Sequence, residues 1–423
     1  MNNRMLAVLS IKPFFFLWLA EIFSQIAQNM VNFVLIIVAF KIAQSNTAVA
    51  GIVLSFTVPA ILFGILAGVY VDRWNKKNVL LTTNIIRTFL LISLAVLPLS
   101  LPFIYVLSFA ISVVTQFFIP AETPIIPLLV NKKLLLSANA LFGMGIYGSV
   151  LVAYALSGPF LVFFGERYVL LILAFFFAIA AGFVSFIRIS KRMKERLDVH
   201  REATPVVEMK NAFAIMVRTK EISHSLFLLT LSQLLILVLA VLGPGFASQI
   251  LKIKVDDFPL LFVTPSALGM VVGAVSVGTF FHSVQKQKLA TIGVFLAGLA
   301  MLCLPYGSKV ASRDIVVAIN AYLPQFLAID ILHIMVFLAF LLGFANALVF
   351  VPSNTLLQEK TTDEFRGKAY GALSALVGVF SLIPIVIVGE LADVFGVGKV
   401  ITGIGIILIF IGVLRLLFRL KIT

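Results

Sequence analysis

Charge is scarce in this chain. Asp, Glu, Lys and Arg make up 12% of its 423 residues, against about 25% in an ordinary soluble protein. Apolar residues reach 61% and the mean hydropathy is +1.13. A water-exposed surface cannot be built from such a composition, so the solvent for most of the chain is lipid. Cysteine is nearly absent as well. The one present, Cys303, lies within an apolar run, which excludes a disulfide framework and leaves the redox compartment unread. There are four histidines. His224 and His333 stand near span ends without Cys or carboxylate companions at ligand spacing, so no metal site is expected. No phosphate-binding Gly-Lys loop occurs, which removes direct use of ATP. No small-residue cleavage site follows the stretch after Arg4 and Lys12, so that stretch reads as a retained first span rather than a signal peptide.

What is present is a series of long apolar runs. They are continuous rather than alternating every second residue, which favours helices over a barrel. A helical crossing takes about 20 residues. Spans are predicted at 14–42, 48–71, 79–101, 103–127, 136–163, 168–189, 223–249, 258–282, 288–307, 330–352, 366–392 and 398–420, giving twelve. The +14 net charge could indicate nucleic acid, but the bases fall in short blocks between these runs, which excludes that partner. Placed on the twelve-span topology, 24 Lys and Arg lie at the two termini and on the loops of the same side. Only Lys41, Arg167, Lys252, Lys254, Lys309, Arg313 and Lys399 lie opposite, and Arg87 is inside span 3. Bases collect on the cytoplasmic side, so both termini are expected in the cytoplasm of a multi-pass protein of the cell (inner) membrane. The longest connection, 190–222, opens "KRMKERLDVHREATPVVEMK" and reads as a solvated linker lying on anionic lipid. It divides the chain into bundles at 1–189 and 223–423.

The two sixes share short stretches in the same order. "FIPAET" (118–123) ends span 4 and "FVPSNT" (350–355) ends span 10. Gly68 to Lys76 is matched by Gly278 to Lys286, with His282 in the place of Asp72. Gly165-Glu166 is matched by Gly389-Glu390. Duplicated six-helix units of this kind hold substrate near the midplane between halves.

On these residues the chain resembles the major facilitator superfamily over essentially its whole length. "GILAGVYVDRWNKK" (64–77) is similar to the superfamily signature between spans 2 and 3, with Asn75 where a glycine is usual. "SGPFLVFFG" (157–165), with Gly158 and Pro159, resembles a degenerate antiporter motif of drug-proton exporters. "FFIPAETPIIPLLV" and "LLQEKTTDEFRGKAYG" resemble the macrolide-efflux-like and enterobactin-exporter-like subgroup. The resemblance implies an all-α membrane protein of two six-helix bundles, the major facilitator fold, working as a monomer. It implies alternating-access export of a small amphipathic compound (drug, macrolide-like or siderophore-like), with the proton gradient as energy source, no cofactor and no enzymatic activity. An uptake carrier or uniporter of a small metabolite or lipid stays open, as does a non-transporting membrane sensor. An enzyme of lipid-linked substrates would need clustered carboxylates or histidines at a surface loop, whereas these loops are short and basic.

Polar residues inside the runs mark the candidate site, because a charge at the bilayer centre costs about 2.5–3.5 kcal/mol on the gentlest scale. Glu21, Gln25, Gln28, Asn29 and Asn32 share one face of span 1 and must face the bundle interior or a cavity. The four amides are expected in the substrate cavity, with helix-to-helix hydrogen bonding as the plainer alternative. Glu21, about two turns in, is the expected proton-coupling group. The resembled subgroup more usually carries its acid further along the span, where Gln28 and Asn29 stand here. A cytoplasmic gate is expected from Gly68, Asp72, Arg73, Lys76, Lys77, Arg87 and Glu122. In it Glu122 pairs with Arg87 or Arg73, Gly68 permits close helix approach, and Asp72 caps the start of span 11. Glu390 and Asp393, near the outer end of that span, are read as solvated.

Overall fold

The computed structural model describes residues 2–187, 220–281, 283–310, 331–361 and 363–419, with side chains for most of them. Backbone amides and carbonyls in hydrocarbon have no water to bond, so these apolar runs can only satisfy themselves as helices. The helices are α1 (Asn2–Leu9), α2 (Lys12–Ala43), α3 (Asn46–Arg73), α4 (Lys76–Val96), α5 (Leu101–Glu122), α6 (Ile126–Leu129) and α7 (Leu135–Phe186). After the linker come α8 (Lys220–Gly245), α9 (Thr264–Thr279), α10 (Lys286–Val310), α11 (Ile331–Lys360), α12 (Asp363–Phe395) and α13 (Val397–Arg419). Two π-helical turns, Phe246–Leu251 and Pro259–Val263, extend α8 and lead into α9.

Among the described residues, eleven helices are long and apolar enough to cross a membrane. The longest, α7, has 52 residues. At about 1.5 Å per residue that is roughly 78 Å, more than twice a hydrocarbon core of about 30 Å. Gly165 divides it: φ 72°, ψ 168° lies outside helical space and in a region open to glycine. Counting α7 as two gives the expected twelve crossings, with no loop between the fifth and sixth. The same device recurs once. Gly396, φ 89°, is the single residue between α12 and α13. The structural counterpart of Gly165 is therefore Gly396, not the Gly389 that the Gly-Glu dipeptide picks out. Gly389 lies inside α12.

The chain forms two compact units. The first holds Met1–Ala43 and Gly51–Pro205, the second Gln44–Ala50 and Val206–Thr423. The expected first bundle is thus interrupted by a seven-residue segment that clusters with the second. Lys220–Ile222, assigned to the linker by sequence, already form the start of α8. Within the first unit α2 packs most extensively on α7. Trp18 Nε1 donates to the Leu141 carbonyl at 2.9 Å, and a Cβ at Gly145 would stand 2.8 Å from that same nitrogen. Within the second unit, α9 and α11 touch backbone to backbone. A Cβ at Gly269 would fall 1.9 Å from the Phe340 carbonyl oxygen, and one at Gly343 1.7 Å from that of Ser266. Small residues set helix approach in membranes this way. Large apolar side chains remain bare on the outside, Phe163 at 80% and Phe280 at 76%, as a lipid-facing surface requires.

Candidate functional site

The first unit buries a cluster of three charged residues. Glu21 on α2 is 0% exposed, Arg87 on α4 is 1% and Glu122 at the end of α5 is 5%. Counted from the first residues of α2 and α4, Glu21 and Arg87 stand about 14 and 16 Å along their helices. Arg87 is held on every side. Its guanidinium carbon lies 4.5 Å from the ring centre of Phe118 and 4.4 Å from that of Phe177. One terminal nitrogen donates to Ser24 Oγ (3.1 Å) and Asn84 Oδ1 (2.9 Å), and Nε points to the Thr83 carbonyl (3.4 Å). These contacts fix a permanent positive charge, since guanidinium does not deprotonate in proteins. Both carboxyl groups lie within its electrostatic reach.

The two acids meet each other. Gln25 Nε2 donates to Glu21 Oε1 at 2.8 Å, while Glu21 Oε2 and Glu122 Oε1 are buried without a donor. The carboxyl groups are within hydrogen-bonding reach of one another. Carboxylate oxygens only accept, so such a bond needs a proton on one of them. The expected pairing of Glu122 with Arg73 is not made. Arg73 is exposed at the end of α3, and Arg87 gives its hydrogen bonds to Ser24, Asn84 and Thr83 rather than to either acid. Glu122 therefore belongs with Glu21, a neighbour that no sequence spacing announces.

From Glu21 a polar line continues along α2. Asn29 Nδ2 donates to the Gln25 carbonyl (2.8 Å) and reaches Gln25 Oε1 (3.4 Å); Gln28 Nε2 donates to Asn32 Oδ1 (3.0 Å). One bond leaves the helix, from Thr115 Oγ1 on α5 to Gln28 Oε1 at 2.9 Å. Glue between helices therefore accounts for Gln28. Gln25, Asn29 and Asn32 bond along their own helix and stay half-buried, with capacity left for another partner. The line runs from Glu21 to Asn32, about 16 Å of rise.

The loop after α3 has a local logic. Asn75, at the usual glycine position, is the N-cap of α4: φ −68°, ψ 107°, its Oδ1 accepting from the Asn78 amide at 3.3 Å. Asparagine is among the best residues for that task. Lys77 Nζ donates to the Ser185 carbonyl at 2.8 Å, setting a cation on the last turn of α7 where the helix dipole is negative. Lys76 is buried. Among the described residues a Cβ at Gly68 would meet nothing within 4 Å. The side chains of Asp72 and of 363–368, together with His282 and segment 188–219, lie outside the described residues, and with them the expected Asp72 cap. Gly158 and Pro159 sit inside α7, Gly158 buried. At the other end of the first unit, Lys41 pairs with Glu166 at 3.0 Å beside a cavity of about 420 Å³.

Comparison with known proteins agrees with this architecture. The family model described as Major Facilitator Superfamily matches residues 17–323. Two relatives from Bacillus subtilis (strain 168) are uncharacterized MFS-type transporters. YfiS is 23% identical over 400 residues, 91% of this chain and 87% of its own. YvqJ is 25% identical over 302 residues, 71% of this chain and 66% of its own. Among solved structures, the nucleoside transporter NupG superposes with a TM-score of 0.71 at 13% identity, over 95% of this chain and 99% of its own. A POT family transporter in complex with 5-aminolevulinic acid gives 0.68 at 15% identity, over 97% and 96%. At such identities the likeness is one of fold.

Proposed function

The chain belongs to the major facilitator superfamily and is a membrane transporter rather than an enzyme; on that premise we propose that it is a proton-coupled exporter of a small amphipathic compound. The observation that carries the reading is the buried Glu21–Glu122 pair beside Arg87. With one proton on the pair the cluster is neutral: one cation, one carboxylate, one acid. With both acids ionised it carries a net negative charge. Burying net charge within the membrane costs several kcal/mol, so the cluster holds one proton while closed from water and releases it when water enters. A transporter that exposes such a site alternately to two sides moves a proton each cycle and can drive a second solute against its gradient.

The solute's character follows from what adjoins the pair. Gln25, Asn29 and Asn32 offer neutral donors and acceptors on a helix otherwise apolar, a surface for a compound with both amide-like and greasy parts. Export, and a drug-, macrolide- or siderophore-like substrate, rest on the resemblance of the Gly158-Pro159 segment and of residues 117–130 and 356–371. The basic ends of the spans support a reading with both termini in the cytoplasm.

A compound whose cellular accumulation depends on the protein would be found by screening, then followed in sealed vesicles under an imposed pH gradient. Glu21→Gln and Glu122→Gln should each lose gradient-driven transport by about tenfold or more, a change of at least about 1.4 kcal/mol in coupling, while downhill exchange persists. Gradient-driven transport retained by both variants overturns the proposal. Uptake with the gradient reversed would assign the protein as an uptake carrier.

A further inference from the structure

The most densely bonded carboxylate among the described residues is Asp393, near the end of α12. Its Oδ1 accepts from the Asn46 amide (2.7 Å) and from Asn46 Nδ2 (2.8 Å). Its Oδ2 accepts from the Thr47 amide (2.9 Å), Thr47 Oγ1 (2.7 Å) and Ser45 Oγ (2.5 Å). The first amides of a helix have no partner within it. At the start of α3, Asp393 takes those of Asn46 and Thr47, and Ser45 Oγ takes that of Ala48 at 3.3 Å. A carboxylate at this positive helix end is favoured by the dipole as well as by the bonds. The cap is supplied from some 350 residues away in sequence, whereas helices ordinarily draw theirs from the preceding residue.

The packing beneath it is equally close. Asn46 is 0% exposed, and a Cβ at Gly245 would lie 2.2 Å from its Oδ1. A Cβ at Gly389, one turn before Asp393, would lie 3.0 Å from the Ala50 Cβ and 3.1 Å from the Asn46 carbonyl oxygen. The chain enters this seat through Gln44, whose φ of 51° makes the turn out of α2. Past Ala50 the allegiance changes. Gly51 packs on Tyr105 of the first unit, where a Cβ would stand 2.8 Å from the ring. A single unbroken helix therefore belongs to the second unit up to Ala50 and to the first from Gly51.

Transporters of two six-helix units work by rocking one against the other. Such a motion must either bend α3 at this junction or free its first turn. We propose that Asp393 is a conformational latch of the transport cycle, holding the first turn of α3 on the second unit and releasing it when that turn moves with the rest of the helix. The span end opposite the basic loops is thereby controlled by one carboxylate, whose donors among the described residues are Ser45, Asn46 and Thr47. The inference stands apart from proton coupling, because it assigns which access state is favoured and not what drives the cycle.

The test uses the full chain in right-side-out vesicles, with Cys303→Ser as background and Asn32→Cys as the reporter in the polar line of α2. A membrane-impermeant maleimide reads outside access. Asp393→Asn should raise the labelling rate several-fold. Ser45→Ala with Thr47→Ala, which removes two donors and leaves the backbone pair, should raise it by less. Glu390→Gln, an exposed neighbour, should leave it unchanged. Folding of each variant is checked by thermal unfolding in detergent. A folded Asp393→Asn protein that labels at the parent rate overturns the latch. Should that variant fail to fold, an unchanged rate in the Ser45/Thr47 double variant overturns it equally, with no proton measurement involved.

Discussion

The two six-helix units follow one plan of helices and fill it with different chemistry. Where span 4 ends in "FIPAET", span 10 ends in "FVPSNT", so that Glu122 of the first unit is matched by Asn354 of the second. Glu21, Lys76, Arg87 and Glu122 are the buried charged side chains among the described residues, and all belong to the first unit. The second unit buries hydroxyls and amides instead, among them Ser232, which donates to Asn346 Oδ1 at 2.6 Å. The lesson is a division of labour. One unit buries two carboxyl groups beside a guanidinium, and the other has an amide, Asn354, at the position that matches Glu122. Backbone devices, by contrast, are shared. Gly165 and Gly396 both take positive φ and both join the last two spans of a unit without a loop.

The contrast can be broken at several points. Arg87→Ala should have the largest effect, because it leaves buried acids without their cation. Removing one partner of a buried charged group costs about 3–5 kcal/mol, read as a lower midpoint of thermal unfolding or loss of monodisperse protein in detergent. Arg87→Lys should recover little of it, since an ammonium cannot lie flat between Phe118 and Phe177. Next, Glu122→Asn makes the first unit resemble the second at this place. It should abolish gradient-driven transport, a loss of about tenfold or more, whereas Asn354→Gln in the second unit should leave coupling intact. The smallest effect tests the shared part of the plan. Gly165→Ala and Gly396→Ala should each destabilise by about 1–3 kcal/mol, the cost of holding a residue with a Cβ at a sparsely populated positive φ, and by similar amounts. A Cβ meets nothing within 4 Å at either position, so unequal losses would argue against equivalent joints.

Most of the fold was legible in the sequence because it follows from one-dimensional facts. Lipid demands apolar runs of a set length, and bases sort by side, so twelve crossings emerge without any knowledge of packing. The polar stripe from Glu21 to Asn32 was legible for the same reason, as helical period alone puts it on one face. The partner of Glu21 was not. Glu122 is about a hundred residues away, and its approach depends on how α5 lies beside α2. The only written signal is the acid that stands where the repeated "FVPSNT" has an amide. Asp393 is exposed, as its place near a span end suggests, but that place says nothing of the donors it meets at residues 45–47. Gly389 was matched to Gly165 on the strength of a following glutamate, yet the requirement at that joint is a backbone angle, and Gly396 meets it. Asn75 departs from the resembled signature without disturbing it, because a cap can be made by asparagine.

The central claim is that Glu21 and Glu122 hold one proton between them beside a fixed Arg87. Infrared difference spectroscopy of the purified protein across a pH titration reads protonated carboxyl groups directly and needs no substrate. The wild-type protein should show the band of a buried protonated carboxyl. Glu21→Gln and Glu122→Gln should each abolish it, because one remaining carboxylate already balances Arg87. A band that survives in both variants would contradict the shared proton, and with it the proposed coupling.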